Sequence, residues 1–82
     1  MIPREIGAEH VRAAIAEIEC NGVPPSRRSK RYHLVYRGRC YPPKYVVSLA
    51  ARHATGRMLP WATFNGGQET NTHLGDLGFK II

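Results

Sequence analysis

The chain has 82 residues, of which 43% are hydrophobic, and it carries a formal net charge of +6. These values predict one globular domain over positions 1–82 and exclude a disordered chain, although so small a core leaves a monomer only marginally stable. No apolar run approaches the roughly 20 residues that cross a bilayer, and charges interrupt the N-terminus where a secretion signal needs an apolar stretch, so we expect a cytoplasmic protein.

A helix, a loop and a hairpin are predicted in the first half of the chain. Apolar residues recur at helical spacing in GAEHVRAAIAEIECNG, so we predict a first helix that begins at Gly7 and ends at Gly22. The following VPPSRRSKR has two prolines, two serines and four basic residues, which favours an exposed, extended loop. In the next segment, YHLVYRGRCY, side chains alternate between the two faces of a predicted strand. Arg37 and Gly38 occupy the turn of a predicted β-hairpin there.

The segment YPPKYVVSLAARHATG, at positions 41–56, predicts a second helix. Pro42 or Pro43 suits the first helical turn, where a missing N–H costs no hydrogen bond, and Gly56 ends the helix. Apolar residues on more than one face indicate that this helix is buried. Its N-terminus carries Lys44, and a helix start of that kind binds phosphate readily. We therefore expect the helix to lie in the core along its length and to contact a phosphate at its N-terminus.

A third helix and a short strand complete the predicted fold. The helix is predicted in NGGQETNTHLGDLG, where Asn65 and Gln68 suit a capping box and Gly78 ends the helix. The terminal FKII predicts a strand with Phe79 and Ile81 on one face. The order α-β-β-α-α-β indicates an α+β domain in which three helices pack on a small antiparallel sheet.

The charges of the chain are segregated along its length. The six acidic residues lie near the two ends, and the stretch from Cys20 to Gln68 has none. The same stretch has nine basic residues, which are Arg27, Arg28, Lys30, Arg31, Arg37, Arg39, Lys44, Arg52 and Arg57. The middle therefore carries +9 against −3 at the ends, which is typical of a protein that binds a polyanion. A merely basic, soluble surface is the alternative, but such surfaces usually intersperse both signs.

The sequence shows no pattern of catalytic or metal-binding residues. The four histidines are widely spaced, and neither they nor Cys20 and Cys40 have CxxC, HxxxH or HExxH spacing. NGGQ is too short for a phosphate-binding P-loop, and no pair of acids suits general acid–base work. We therefore expect a binding module without a metal, a cofactor or catalytic residues. The two cysteines are expected to be small core residues rather than a disulfide.

Three blocks of the sequence resemble a known family. They are YPPKYVVSLA at positions 41–50, FNGGQET at 64–70 and LGFKI at 77–81. Together they resemble the small N-terminal module of modification-dependent restriction endonucleases of the McrA kind and of related multidomain nucleases. The resemblance covers nearly the whole chain and implies recognition of modified DNA, above all duplex DNA with 5-methylcytosine. Because no HNH or ATPase segment follows, we expect a stand-alone reader, associated with the nucleoid, that does not cleave DNA.

The basic residues of the middle stretch are assigned roles at a duplex. Five of them are expected to neutralise phosphates, which positions a duplex without reading its sequence. These five are Arg27, Arg28, Lys30, Arg31 and Lys44. Arg37 and Arg39, on either side of Gly38, are expected to enter a groove, where arginine recognises guanine edges best.

Aromatic residues interleave with these charges. The tyrosines in question are Tyr32, Tyr41 and Tyr45. Their rings suit contact with a C5 methyl group or a sugar, and they suit half-buried positions at the rim of a core equally well. Trp61 and Phe64 are interpreted as core or dimer-interface residues.

Two expectations concern how the methyl group is read and how the chain assembles. A chain of 82 residues with few buried polar candidates leaves little room for the walls of a base-flipping pocket. We therefore expect a modest preference, read in the major groove by a tyrosine near the hairpin such as Tyr41. The small core and the apolar edge of FKII predict a homodimer.

Two functions from other classes stay open. A nucleic-acid-binding module that is indifferent to modification, RNA included, would account for the charge alone. A protein-interaction module whose basic face meets an acidic partner would account for it as well.

Overall fold

The computed structural model describes residues 2–64 and 67–82, and of Trp61 it describes the backbone alone. Within these residues the helices are α1 (Ala8–Asn21), α2 (Pro43–Thr55) and α3 (Gln68–Asp76). The strands β1 (Leu34–Tyr36), β2 (Arg39–Tyr41) and β3 (Lys80–Ile81) form one antiparallel sheet in the order β2-β1-β3. Single 3-10 turns occur at Pro25–Arg27 and Trp61–Thr63. The predicted α+β class and element order are confirmed.

Helix α1 begins and ends beside the predicted glycines. Gly7 is the N-cap, and its N–H donates to Nδ1 of His10 at 2.9 Å. Gly22 follows the last turn with a φ of 79° and donates to the carbonyl of Ile18. The buried residues of α1 share one face and pack mainly on α2; they are Val11, Ala14, Ile15 and Ile18. This face forms one wall of the core.

The hairpin turn falls at the two predicted residues. Arg37 and Gly38 have φ values of 53° and 78°, the left-handed geometry that a two-residue hairpin turn requires. Strand β3 is shorter than predicted, but backbone hydrogen bonds of 2.9 Å in both directions between His33 and Ile82 carry its pairing with β1 one residue further. The C-terminus of the chain is thereby fixed beside the first strand of the hairpin.

Helix α2 is buried on several faces, as predicted. Pro43 is its first residue, and Gly56 is its left-handed C-cap, whose N–H donates to the carbonyl of Arg52 at 2.9 Å. The buried residues are Pro43, Val46, Val47, Ser48, Leu49, Ala50 and Ala51. Ser48 is the polar residue of this set, and a buried hydroxyl group needs a hydrogen-bond partner.

Helix α3 packs against α2 and β3 and closes the core. Leu74 is fully buried, and the helix ends two residues before Gly78, which has a φ of 93°. Gln68 is the first helical residue. The predicted capping box depends on Asn65, which lies outside the described residues.

Phe64 and the two cysteines were predicted to be core residues. Phe64 is buried, as the core interpretation requires, whereas the side chain of Trp61 lies outside the described part of the chain. Cys20 and Cys40 are free and exposed, so the expectation that they are small core residues is wrong. Cys20 lies in the last turn of α1 and Cys40 on the outer strand β2, where one side of each element faces solvent.

None of the described helices has the length and apolar character needed to cross a membrane.

Candidate nucleic-acid interface

A cleft of about 770 Å³ opens between the loop that follows α1 and the N-terminus of α2. Its basic lining residues are Arg27, Arg28, Lys30, Arg31 and Lys44. Its larger apolar and aromatic lining residues are Pro24, Tyr32, Pro42, Pro43, Tyr45 and Met58. Because positions 24–67 contain no acidic residue, every formal charge on this lining is positive. We call this site the basic cleft.

Arg27 is held in a fixed position within the basic cleft. Its Nη2 donates to Oγ of Ser48 at 2.8 Å, and its Cζ lies 5.0 Å from the centroid of the Tyr45 ring. The first contact satisfies the buried hydroxyl group, and the second is a cation–π interaction. Burial lowers the pKa of Arg27 from its ordinary value, but arginine keeps its charge at neutral pH. The cleft therefore has an anchored cation positioned over an aromatic ring.

Lys44 adds a second partly desolvated cation at the start of α2. Its Nζ lies 5.0 Å from the centroid of the Phe64 ring. Burial and, to a smaller extent, the positive charge of Arg27 lower the pKa of Lys44 from its ordinary value. A nearby anion opposes both effects, because it favours the charged form of each cation. The positive end of the α2 dipole also attracts an anion, so this end of the cleft favours phosphate.

Seven of the ten predicted site residues come together in the basic cleft. They are Arg27, Arg28, Lys30, Arg31, Tyr32, Lys44 and Tyr45. The hairpin explains why the loop after α1 and the start of α2 meet. Its two strands are antiparallel, so the chain returns to the loop after α1 at the end of β2. Arg28, Lys30, Arg31 and Tyr32 are exposed, whereas Arg27, Lys44 and Tyr45 are half-buried.

Arg37 and Arg39 lie apart from this group, at the tip of the hairpin. Both are exposed, and the Cζ of Arg37 lies 5.3 Å from the centroid of the Tyr36 ring. The basic cleft is at the open end of the same hairpin, about 10 Å away for strands of three residues. The entry of Arg37 and Arg39 into a groove of the duplex stays a prediction.

Tyr41 has a different environment from the other two tyrosines. Its side chain is buried, at 5% exposure, and its hydroxyl group donates to Oε1 of Glu19 at 2.5 Å. Burial first, and this hydrogen bond second, raise the pKa of Tyr41. Of the two interpretations of this residue, its position favours packing in the core. Tyr32 and Tyr45, in contrast, line the basic cleft.

Sequence reasoning missed the cleft and the residue that organises it. No motif in the sequence predicted this cleft, whose lining includes three prolines from two segments of the chain. Whether it accepts an extruded base stays open, so the expectation that the chain has too few buried polar side chains for a deep base-flipping pocket stays a prediction. Ser48, which anchors Arg27 from within α2, was also absent from the predicted site residues. Its signal in the sequence was a single hydroxyl group inside an apolar helix pattern, which required a partner.

Arg52 contributes less to the positive charge of the surface than its position in the basic middle stretch predicts. Glu17 on α1 forms an ion pair with Arg52, and its Oε1 lies 3.0 Å from Nε2 of His53. The hydrogen bond from Arg52 is the largest cause of a lowered pKa at Glu17, against a smaller opposing effect of burial. This cation therefore joins α1 to α2, and the cations of the basic cleft remain as the main positive cluster.

A second depression, of about 370 Å³, adjoins the basic cleft and shares Arg28, Ser29 and Pro42 with it. His33 and Cys40 also line this depression, and Oγ of Ser29 lies 3.3 Å from Nδ1 of His33. Over residues 2–64 and 67–82, no three side chains of His, Cys, Asp or Glu are grouped as a metal ion would require. The surface combines positive charge with aromatic rings, a combination that suits anions and planar groups.

Comparison with known proteins gives one family. A family described as ScoMcrA-like, N-terminal head domain, matches residues 4–82, which is nearly the whole chain. No curated protein and no solved structure matched the chain.

Proposed function

Because the chain belongs to the ScoMcrA-like N-terminal head-domain family, we propose that it binds double-stranded DNA with a modest preference for 5-methylcytosine and does not itself cut DNA. Membership of a McrA-like family indicates a DNA-reading module of restriction proteins. The observation that carries the proposal is the basic cleft, in which five cations meet aromatic and apolar side chains without any acid. Such a surface suits a nucleic acid, which has both phosphates and planar bases.

Phosphates are bound by the cations at the rim and the end of the cleft. Arg28, Lys30 and Arg31 are exposed on the loop and reach the backbone of a bound duplex. Lys44 and the N-terminus of α2 supply positive potential at the other side. These contacts position the duplex and make its affinity depend on salt, but they do not distinguish one base from another.

The preference for a methylated base comes from the aromatic lining. Tyr32 and Tyr45 are the aromatic side chains of the cleft, and a C5 methyl group packed on either ring is removed from water. Burial of one methyl group is worth roughly 0.8 kcal/mol, and a pocket discriminates a single methylene by about 1–3 kcal/mol at best. The preference is therefore several-fold to about a hundredfold.

Titration of matched ligands tests this function. Fluorescence anisotropy is measured with a duplex that contains 5-methylcytosine, with the same duplex unmodified and with RNA of the same sequence, over a series of salt concentrations. We expect the methylated duplex to bind several-fold more tightly than the unmodified one. Equal affinity for the two duplexes would contradict the preference for modification, and affinity without salt dependence would contradict nucleic-acid binding. Incubation of methylated plasmid with Mg²⁺ should leave it uncut, and nicking would show a nuclease.

A second candidate function is a nucleic-acid-binding module that is indifferent to modification. One observation favours it, because cations that recognise phosphates carry no information about the base. An acidic protein segment is the third possible ligand of the same positive surface. Equal binding of methylated DNA, unmethylated DNA and RNA would support the second function, and binding of none of them would leave the third.

A further inference from the structure

We infer that the basic cleft receives one nucleotide whose base has left the stack of the duplex, rather than only the backbone of a stacked duplex. The inference rests on the proposed function and names the form of DNA that the cleft accepts. It departs from the expectation of reading in the major groove, which depended on the chain having few buried polar side chains for the walls of a base-flipping pocket.

The shape of the site is the first reason. Proteins that read stacked bases insert a helix or a strand ribbon into the major groove, and the part that enters is convex. The basic cleft is concave, and its volume of about 770 Å³ lies within the roughly 300–1,000 Å³ of pockets that enclose small ligands. The bases of an intact duplex lie inside the stack, so a single extruded nucleotide is the part of DNA that projects into such a cleft.

The lining gives the second reason. A site for phosphates alone needs cations, yet the basic cleft also has three prolines, two tyrosines and Met58 on its surface. A nucleotide presents the matching combination, since it has an anionic phosphate and a planar, largely apolar base. Stacking of a base on an aromatic side chain is sequence-tolerant and recurs in proteins that bind unpaired nucleotides.

The arrangement around Tyr45 gives the third reason. The guanidinium group of Arg27 lies over this ring and is anchored by the fully buried Ser48, so the two groups hold each other in place. Both are planar groups of the kind that stack on bases. A platform that is already ordered loses little conformational freedom when a base binds. The exposed cations of the loop, Arg28 and Lys30, are placed on the same lining to hold the flanking phosphates.

The first experiment measures extrusion with the native protein. Duplexes carry 2-aminopurine next to the 5-methylcytosine, and its fluorescence rises when the neighbouring base leaves the stack. We expect a several-fold rise at saturating protein. Removing the base opposite 5-methylcytosine should tighten binding about tenfold, because the cost of unpairing no longer has to be met.

A pair of variants assigns the extruded base to the cleft. Tyr45→Leu keeps an apolar side chain but removes the ring, so affinity should fall about fivefold to 150-fold together with the fluorescence rise. Phe79→Leu is the matched control, because Phe79 is also half-buried but packs on Tyr36, with ring centroids 5.8 Å apart, and does not line the cleft. Circular dichroism and thermal melting establish that both variants fold.

The outcomes separate the inference from the proposed function. Binding of the methylated duplex without a fluorescence rise, and without tighter binding opposite an abasic site, would overturn the inference and leave the proposed function intact. Binding of no duplex would overturn both. A fluorescence rise that Tyr45→Leu leaves unchanged in a folded variant would show that the base enters another part of the protein, and would also overturn the inference. The measurements with the native protein decide the question even where Tyr45→Leu does not fold.

Discussion

Replacing Arg28, Lys30 and Arg31 together with alanine tests whether the basic cleft carries the binding of DNA. All three side chains are exposed, so their loss removes charge without opening the core. Arg27 is left in place because its guanidinium group also packs within the protein. The triple variant lowers the formal net charge of the chain from +6 to +3.

The size of the effect follows from the number of cations in the cleft. Each neutralised phosphate contributes about −0.9 to the slope of log affinity against log salt concentration. Five cleft cations predict a slope of about −4.5, and the two that remain in the variant predict about −1.8. Between about 50 and 200 mM salt, the affinity of the native protein should therefore fall about 500-fold and that of the variant about 12-fold.

A matched control separates the cleft from total charge. Arg4, Arg12 and Lys80 are also two arginines and one lysine, all exposed, and none of them lines the cleft. Their joint replacement with alanine lowers the net charge by the same amount and should leave the slope at about −4.5. Fluorescence anisotropy with a labelled duplex over the salt series measures both slopes, and thermal melting checks that both variants fold. Equal slopes in the two variants would refute the reasoning, because binding would then depend on net charge alone.

Three further outcomes are expected. Tyr41→Phe removes the hydrogen bond to Glu19 and should lower the free energy of unfolding in urea by about 1–2 kcal/mol without changing DNA affinity; weaker binding at native stability would contradict the packing role. Glu17→Gln should destabilise the fold by about 0.2–1 kcal/mol at neutral pH. Since the folded state holds the pKa of Glu17 below its ordinary 4.5, this difference should be complete above that pH and should vanish as the pH falls through the lowered value; a difference that persists in strong acid would contradict it. Sedimentation at micromolar concentration should give a homodimer of about twice the 9.2 kDa chain mass, because β3 is an outer strand of the sheet and the core is small; a monomer would refute this.

The sequence by itself determined the order of the elements and the limits of α1, α2 and the hairpin turn, because those signals are local. Gly7 and Gly22 bound α1, and Gly56 ends α2, since the conformation of each position depends on the neighbouring residues. Arg37 and Gly38 form the turn of the hairpin for the same reason. The charge of the middle stretch is also a property of the sequence, and it predicted a cluster of basic residues on the surface.

Only the tertiary structure decided what each of those residues does. Tyr41 and Tyr45 are four positions apart and read alike in the sequence, yet one is buried against Glu19 and the other lines the basic cleft beside Arg27. The distinction depends on contacts with residues about 20 positions away in the chain, which neither periodicity nor capping specifies. The cleft itself exists because the hairpin returns the chain to the loop after α1. A pocket lined by separate segments of the chain is a product of packing and has no motif in the sequence.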